Sequence, residues 1–167
     1  WTNVVGQIGP TADYRNHFVC LPQLWNSLWG FGGSVAGCVE GMSFKLGKLH
    51  ILLALAGVVF WLWKRSAPVK FMVLGIIGVL VAIFFMLPES LFLWDILPFS
   101  SYIQYPWRLL AFAIVGLSML GAVVVHATRH AVLRWMVVIL AGGVVVAVNA
   151  KWFTPQLTYQ RPAEAYE

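Results

Sequence analysis

The chain has 167 residues, 60% of them hydrophobic and only 10% charged, with a mean hydropathy of +0.81. A soluble domain of this size has no core able to hide so much apolar surface, so the composition predicts an all-α, polytopic integral membrane protein. The net charge of +5 and a pI near 9.5 would suit nucleic acid in a soluble protein, but here the bases flank apolar runs and answer to topology, so no nucleic-acid partner is expected.

Residues 1 to 48 are mixed in polarity, carry eight glycines with Pro10 and Pro22, and hold no apolar run long enough to cross a bilayer. They read as an external loop region. No signal-peptide pattern opens it at Trp1, and the chain reads as a piece of something longer. Trp25, Trp29, Phe31 and Phe44 suit the headgroup zone, which predicts a loop lying on the membrane surface. The sharper alternative is an aromatic platform for a sugar or lipid headgroup. Gly30-Phe31-Gly32-Gly33 lacks the strand, helix and lysine of a phosphate-binding loop, so no nucleotide is expected. Cys20 and Cys38 are either a disulfide, worth about 3 kcal/mol in the chain-entropy model, or two buried thiols.

Four apolar runs follow, at about 49–63, 71–87, 107–125 and 133–153, giving a four-span membrane domain over 49–153. The first is short and needs tilt, local thinning, or Lys48 and Lys64 snorkelling outward. Gly57, Gly75, Gly78, Gly116, Gly121, Gly142 and Gly143 permit close helix contact in lipid, and Ser118 with Ala122 and Gly143 with Ala147 form small-xxx-small pairs. Between the second and third runs, Ser90 is expected to cap a short interfacial helix. Leu91, Phe92, Trp94, Ile96 and Leu97 would be its apolar surface, and Pro98 its stop. Pro106 then opens the third span and puts Trp107 and Arg108 in its first turn. A cation at that positive helix end calls for an anion: a lipid phosphate, Asp95, Glu89, or the phosphate of a substrate. His126 and His130 stand four apart with no third ligand apparent, so no metal or cofactor is expected.

Orientation follows from the short connections. Residues 64–70 hold Lys64, Arg65 and Lys70, and the link between the third and fourth runs holds Arg129 and Arg134, which places both loops in the cytoplasm. Residues 1–48, the 88–106 connection and the external tail 154–167 then lie outside, together with all six acids.

Trp29-Gly30-Phe31-Gly32-Gly33-Ser34, Gly41-Met42-Ser43-Phe44, and Leu97-Pro98-Phe99 followed by Ile103-Gln104-Tyr105-Pro106-Trp107-Arg108 together resemble a family. These are the large bacterial multi-pass membrane proteins of the 6-pyruvoyl-tetrahydropterin synthase-related membrane family, which are similar to C-type glycosyltransferases. The resemblance covers the chain from about His17 to the tail. It implies a multi-helix body in the bacterial inner membrane whose active face lies outside the cytoplasm and takes a sugar from a polyprenyl-phosphate carrier. It implies no pterin chemistry. The expected substrate contacts are Arg108, Gln104, Trp107, Tyr102 and His17, and the expected partners are membrane lipids, the lipid-linked sugar and the remaining helices of the full-length protein. The family's catalytic acid has no match here. Asp13 is a stand-in whose neighbours do not support the role, so this section alone is not expected to catalyse. A transporter subunit would place ionisable groups at the midplane, yet the runs contain almost none apart from His126 and Asn149 near their ends. A structural segment that docks a partner would need only the small-residue surfaces.

Overall fold

The computed structural model describes residues 13–28, 33–39, 41–65, 67–98 and 100–150. The expectations attached to Trp29, Phe31, the end of the fourth run and the tail from Thr154 lie outside these residues. Among the described residues the elements are helical: α1 (Leu21–Trp25), α2 (Lys48–Lys64), α3 (Val69–Met86), α4 (Leu91–Ile96), α5 (Ser100–Ile103), α6 (Leu110–His126) and α7 (Ala131–Asn149). Short 3₁₀ turns occupy Tyr14–Asn16, Pro88–Ser90 and Pro106–Leu109.

Three stretches are long and apolar enough to cross a membrane: Val69–Met86, Pro106–His126 and Ala131–Asn149. With 17 residues, α2 rises only about 25 Å, short of a hydrocarbon core of about 30 Å. The chain divides into one unit up to Ala127 and another from Thr128.

In the first unit α6 packs against both α2 and α3. Glycine sets these approaches. A Cβ on Gly57 would strike the carbonyl oxygen of Leu120 and lie 2.8 Å from its carbonyl carbon, and one on Gly116 would lie 2.7 Å from Val79 Cγ2 and 3.1 Å from the Gly75 carbonyl oxygen. Backbone therefore meets backbone or side chain with no intervening Cβ, the mode of association available where lipid removes the hydrophobic drive between helices. Ser118 and Ala122 are exposed, and a Cβ on Gly78, Gly142 or Gly143 would meet nothing within 4 Å. Helix contact in this unit thus uses Gly57, Gly75 and Gly116 rather than the Ser118–Ala122 pair. Leu117, Leu120 and Val123 of α6 join Ala54 of α2 and Met72, Val79 and Ala82 of α3 in the core.

The α3 C-terminus, the α2 N-terminus and the α6 entry share one end of this unit, which the described residues of 13–28, 33–39 and 41–47 cap. Three of the last carbonyls of α3 are satisfied there: Phe84 by the Leu87 N–H (3.1 Å), Phe85 by the Trp94 indole (3.0 Å) and Met86 by the Val19 N–H (2.8 Å). Orphan carbonyls at a helix end need such partners wherever water is excluded. The cap is closed by a Cys20–Cys38 disulfide, which resolves the choice between bridge and thiols. The Leu24 carbonyl accepts from Leu46 N (3.0 Å), and Ser27 Oγ accepts from Phe44 N (3.0 Å). Phe44, expected in the headgroup zone, is instead 4% exposed in the core.

Two expectations for the 88–106 connection change. Ser90 Oγ does not cap α4 but donates back to the Leu87 carbonyl (2.8 Å). Trp94, expected on an interfacial surface, is buried against Tyr14, Phe18 and Phe85. Phe92 and Ile96 keep the outward face. The indole needs an acceptor when buried, and the Phe85 carbonyl supplies it.

In the second unit Arg134 reaches back to the Thr128 carbonyl through Nε (3.3 Å) and Nη2 (3.0 Å) at the start of α7. Asn149 at the other end donates to the Val145 carbonyl (2.7 Å), so its amide is satisfied on its own helix.

Candidate functional site

Three of the predicted contacts, His17, Trp107 and Arg108, gather around the Tyr105 ring. Pro106 opens a 3₁₀ turn rather than the α-helix itself, and before it Gln104 takes a left-handed conformation at φ 60°. That conformation is uncommon for a residue with a Cβ and here reverses the chain between α5 and the turn. The reversal turns the Ile103 carbonyl to Tyr105 N (2.6 Å) and to Arg108 Nη1 (3.0 Å). The Tyr105 ring becomes the hub. Its centroid lies 4.8 Å from the His17 ring, 5.6 Å from the Trp107 ring and 5.0 Å from the Arg108 guanidinium carbon.

Ser34, like Tyr105 outside the predicted contacts, locks this shelf. Its Oγ accepts from the Trp107 indole (3.1 Å) and lies 2.7 Å from His17 Nδ1. An indole N–H only donates, so the Ser34 oxygen accepts from Trp107, while its bond with His17 Nδ1 runs in the direction the imidazole tautomer sets. Phe44 supports Trp107 from the core, centroid to centroid 6.2 Å. Of the five predicted contacts, His17, Trp107 and Arg108 are brought together directly. Gln104 joins through its backbone, and Tyr102 is 76% exposed. A pairing across 73 residues, such as Trp107 with Ser34, leaves no local mark in one sequence.

No protein-family model, curated protein or solved structure matches this chain.

Asp95, the first named carboxylate for Arg108, is occupied elsewhere. Its Oδ1 accepts from the Tyr14 hydroxyl (2.7 Å) and from Arg15 Nη2 (2.7 Å), which ties the cap to α4. Asp13, the stand-in acid, caps its own turn by accepting from Arg15 N (3.0 Å). Among the described residues Arg108 has no carboxylate partner, Glu89 included. One of its donors goes to the Ile103 carbonyl, its face lies over Tyr105, and the side chain is exposed. Ile103, whose carbonyl accepts from Arg108, and Leu109 edge an apolar groove of about 380 Å³ that also has Phe85, Trp94, Val81 and Phe112 in its wall.

The Tyr14 hydrogen bond, followed by the charge and hydrogen bonds of Arg15, holds the Asp95 carboxyl below its ordinary value of 3.8. A depressed carboxyl contributes stability that is present above 3.8 and lost as pH falls through the folded value. Tyr14 is held above 10.0, chiefly by the same hydrogen bond, so its share is lost only as pH rises through its own folded value. Thermal unfolding across acid pH is therefore expected to show a drop in Tm below 3.8 that Asp95→Asn lacks. High salt should reduce only the Arg15 share of that drop, because Arg15 and Asp95 are half exposed, and leave the share of the Tyr14 hydrogen bond.

Proposed function

We propose that this chain is a section of a glycosyltransferase-like integral membrane protein whose capped end lies on the extracytoplasmic face and binds the phosphate of a polyprenyl-phosphate-linked sugar. The observation that carries the reading is Arg108, an exposed guanidinium held by the Ile103 carbonyl and the Tyr105 ring, with Asp95 already taken by Tyr14 and Arg15. A planar fork of donors with one arm anchored is suited to a phosphate. Tyr105, Trp107 and His17 supply faces for a sugar, and the groove edged by Ile103 and Leu109 suits an isoprenoid chain. The orientation is supported by the opposite end, where Lys64 lies over Phe60 and Trp63, Arg65 lies over Trp61, and Lys70 follows. In this reading α2 is the fourth crossing, its Lys48 and Lys64 snorkelling to opposite headgroup layers.

The test is binding of a polyprenyl-phosphosugar to the full-length protein in nanodiscs. Losing charge-assisted hydrogen bonds worth about 1.5–3 kcal/mol, Arg108→Ala is expected to weaken binding roughly tenfold to a hundredfold. Unchanged affinity would end the proposal.

A further inference from the structure

We propose that α1 is a membrane foot, seating Leu21 and Trp25, with Leu28 beyond them, in the lipid headgroup zone at the level where α2 enters the bilayer. Leu21 and Trp25 stand four residues apart and so share one face of the short helix, and they are 62% and 51% exposed, with Leu28 at 75%. The opposite face is fixed. Gln23 and Leu24 are buried, the Leu24 carbonyl accepts from Leu46 N, Gln23 Oε1 accepts from Cys20 N (2.8 Å), and Cys20 is bonded to Cys38. The apolar face therefore cannot turn inward.

Continuity with α2 identifies what covers it. Lys48, Leu52, Leu55, Val59 and Leu62 recur at helical spacing along one stripe of α2, and the four apolar members are 60%, 58%, 61% and 56% exposed. Resting on the proposed reading in which α2 crosses the bilayer, that stripe is its lipid side. At its head the Lys48 ammonium lies 5.0 Å from the Trp25 ring centre, so Trp25 extends the same face by one step out of the hydrocarbon. An indole beside a lysine at a helix mouth matches the interface, where the ring sits among headgroups and the ammonium reaches the phosphates. The foot also sets the height of the shelf. Ser27 holds Phe44, and Phe44 packs on Trp107, so α1 seated in lipid fixes the level of the Arg108 turn.

The experiment uses the full-length protein labelled with fluorotryptophan in nanodiscs of phosphatidylcholine and phosphatidylglycerol. The Trp25 resonance is assigned by its disappearance in Trp25→Phe or, should that variant fold poorly, in Trp25→Tyr. The expected result is loss of the Trp25 signal when the lipids carry a nitroxide near the glycerol end of the acyl chain, and its survival with a water-soluble gadolinium chelate. Loss with the chelate and survival with the lipid nitroxide would overturn the proposal, placing the foot in water. Survival with both would overturn it too, since a second copy or another protein would then cover the face.

Discussion

Gly57→Leu is expected to separate α2 from α6 and lower the unfolding free energy by about 3 kcal/mol, the upper end of ordinary overpacking. The obstacle at Gly57 is the Leu120 carbonyl, part of a helix backbone that cannot swing aside as a side-chain tip can. Any Cβ collides, so even Gly57→Ala is destabilising, and the longer side chain must also displace the Ala54 and Leu120 layer of the core. Gly78→Leu is the matched control, because a Cβ there meets nothing within 4 Å. Its effect should stay within about 0.5 kcal/mol. Reversible unfolding in mixed micelles, with helicity as the readout, separates the two. Equal destabilisation by both variants would mean that α2 and α6 do not meet through Gly57.

The second large effect is removal of the disulfide. Cys20 and Cys38 are 18 residues apart, and the segment they close contains Ser34, the anchor of both His17 and Trp107. Replacing both with serine is expected to destabilise the cap by about 3 kcal/mol on loop-closure grounds. Within residues 33–39, Val35 and Val39 are 50% and 63% exposed and Ser34 is the half-buried member. Limited proteolysis should therefore begin within 33–39 in the double variant while the transmembrane fragments stay intact. A cap equally resistant with and without the bridge would show that the Ser34 hydrogen bonds hold the segment unaided.

Much of the architecture was legible because a bilayer imposes length and apolarity on every crossing. The second and third runs, expected at 71–87 and 107–125, correspond to Val69–Met86 and Pro106–His126. The first run's shortness also persists in α2. What the sequence hid was pairing at a distance. Arg108 drew attention as a cation at a helix start, but its surroundings depend on Gln104 entering a left-handed conformation, which exposes the Ile103 carbonyl to it. Asp95 looked available to Arg108 because it lies nearby in the chain. Arg15, 80 residues earlier, reaches it instead once the cap folds over α4. Trp94 differs for a related reason: the pattern of α4 is apolar on several sides, and the Phe85 carbonyl and the Tyr14 ring decide which side is core. Glycine was legible as a class but not by position, since the spacing of Ser118 and Ala122 satisfies the same pattern as a true contact while both residues stay exposed.

If Arg108 recognises a phosphate on a lipid carrier, as proposed, two ligands that differ only at that phosphate should bind differently. A polyprenyl-phosphosugar and the corresponding uncharged polyprenyl glycoside are titrated against wild-type protein and Arg108→Gln in the same nanodiscs. The proposal predicts that wild type prefers the phosphate-bearing ligand by roughly tenfold or more, and that Arg108→Gln removes most of that preference while leaving the glycoside's affinity unchanged. A preference that survives Arg108→Gln intact, or no preference in the wild type, would contradict it.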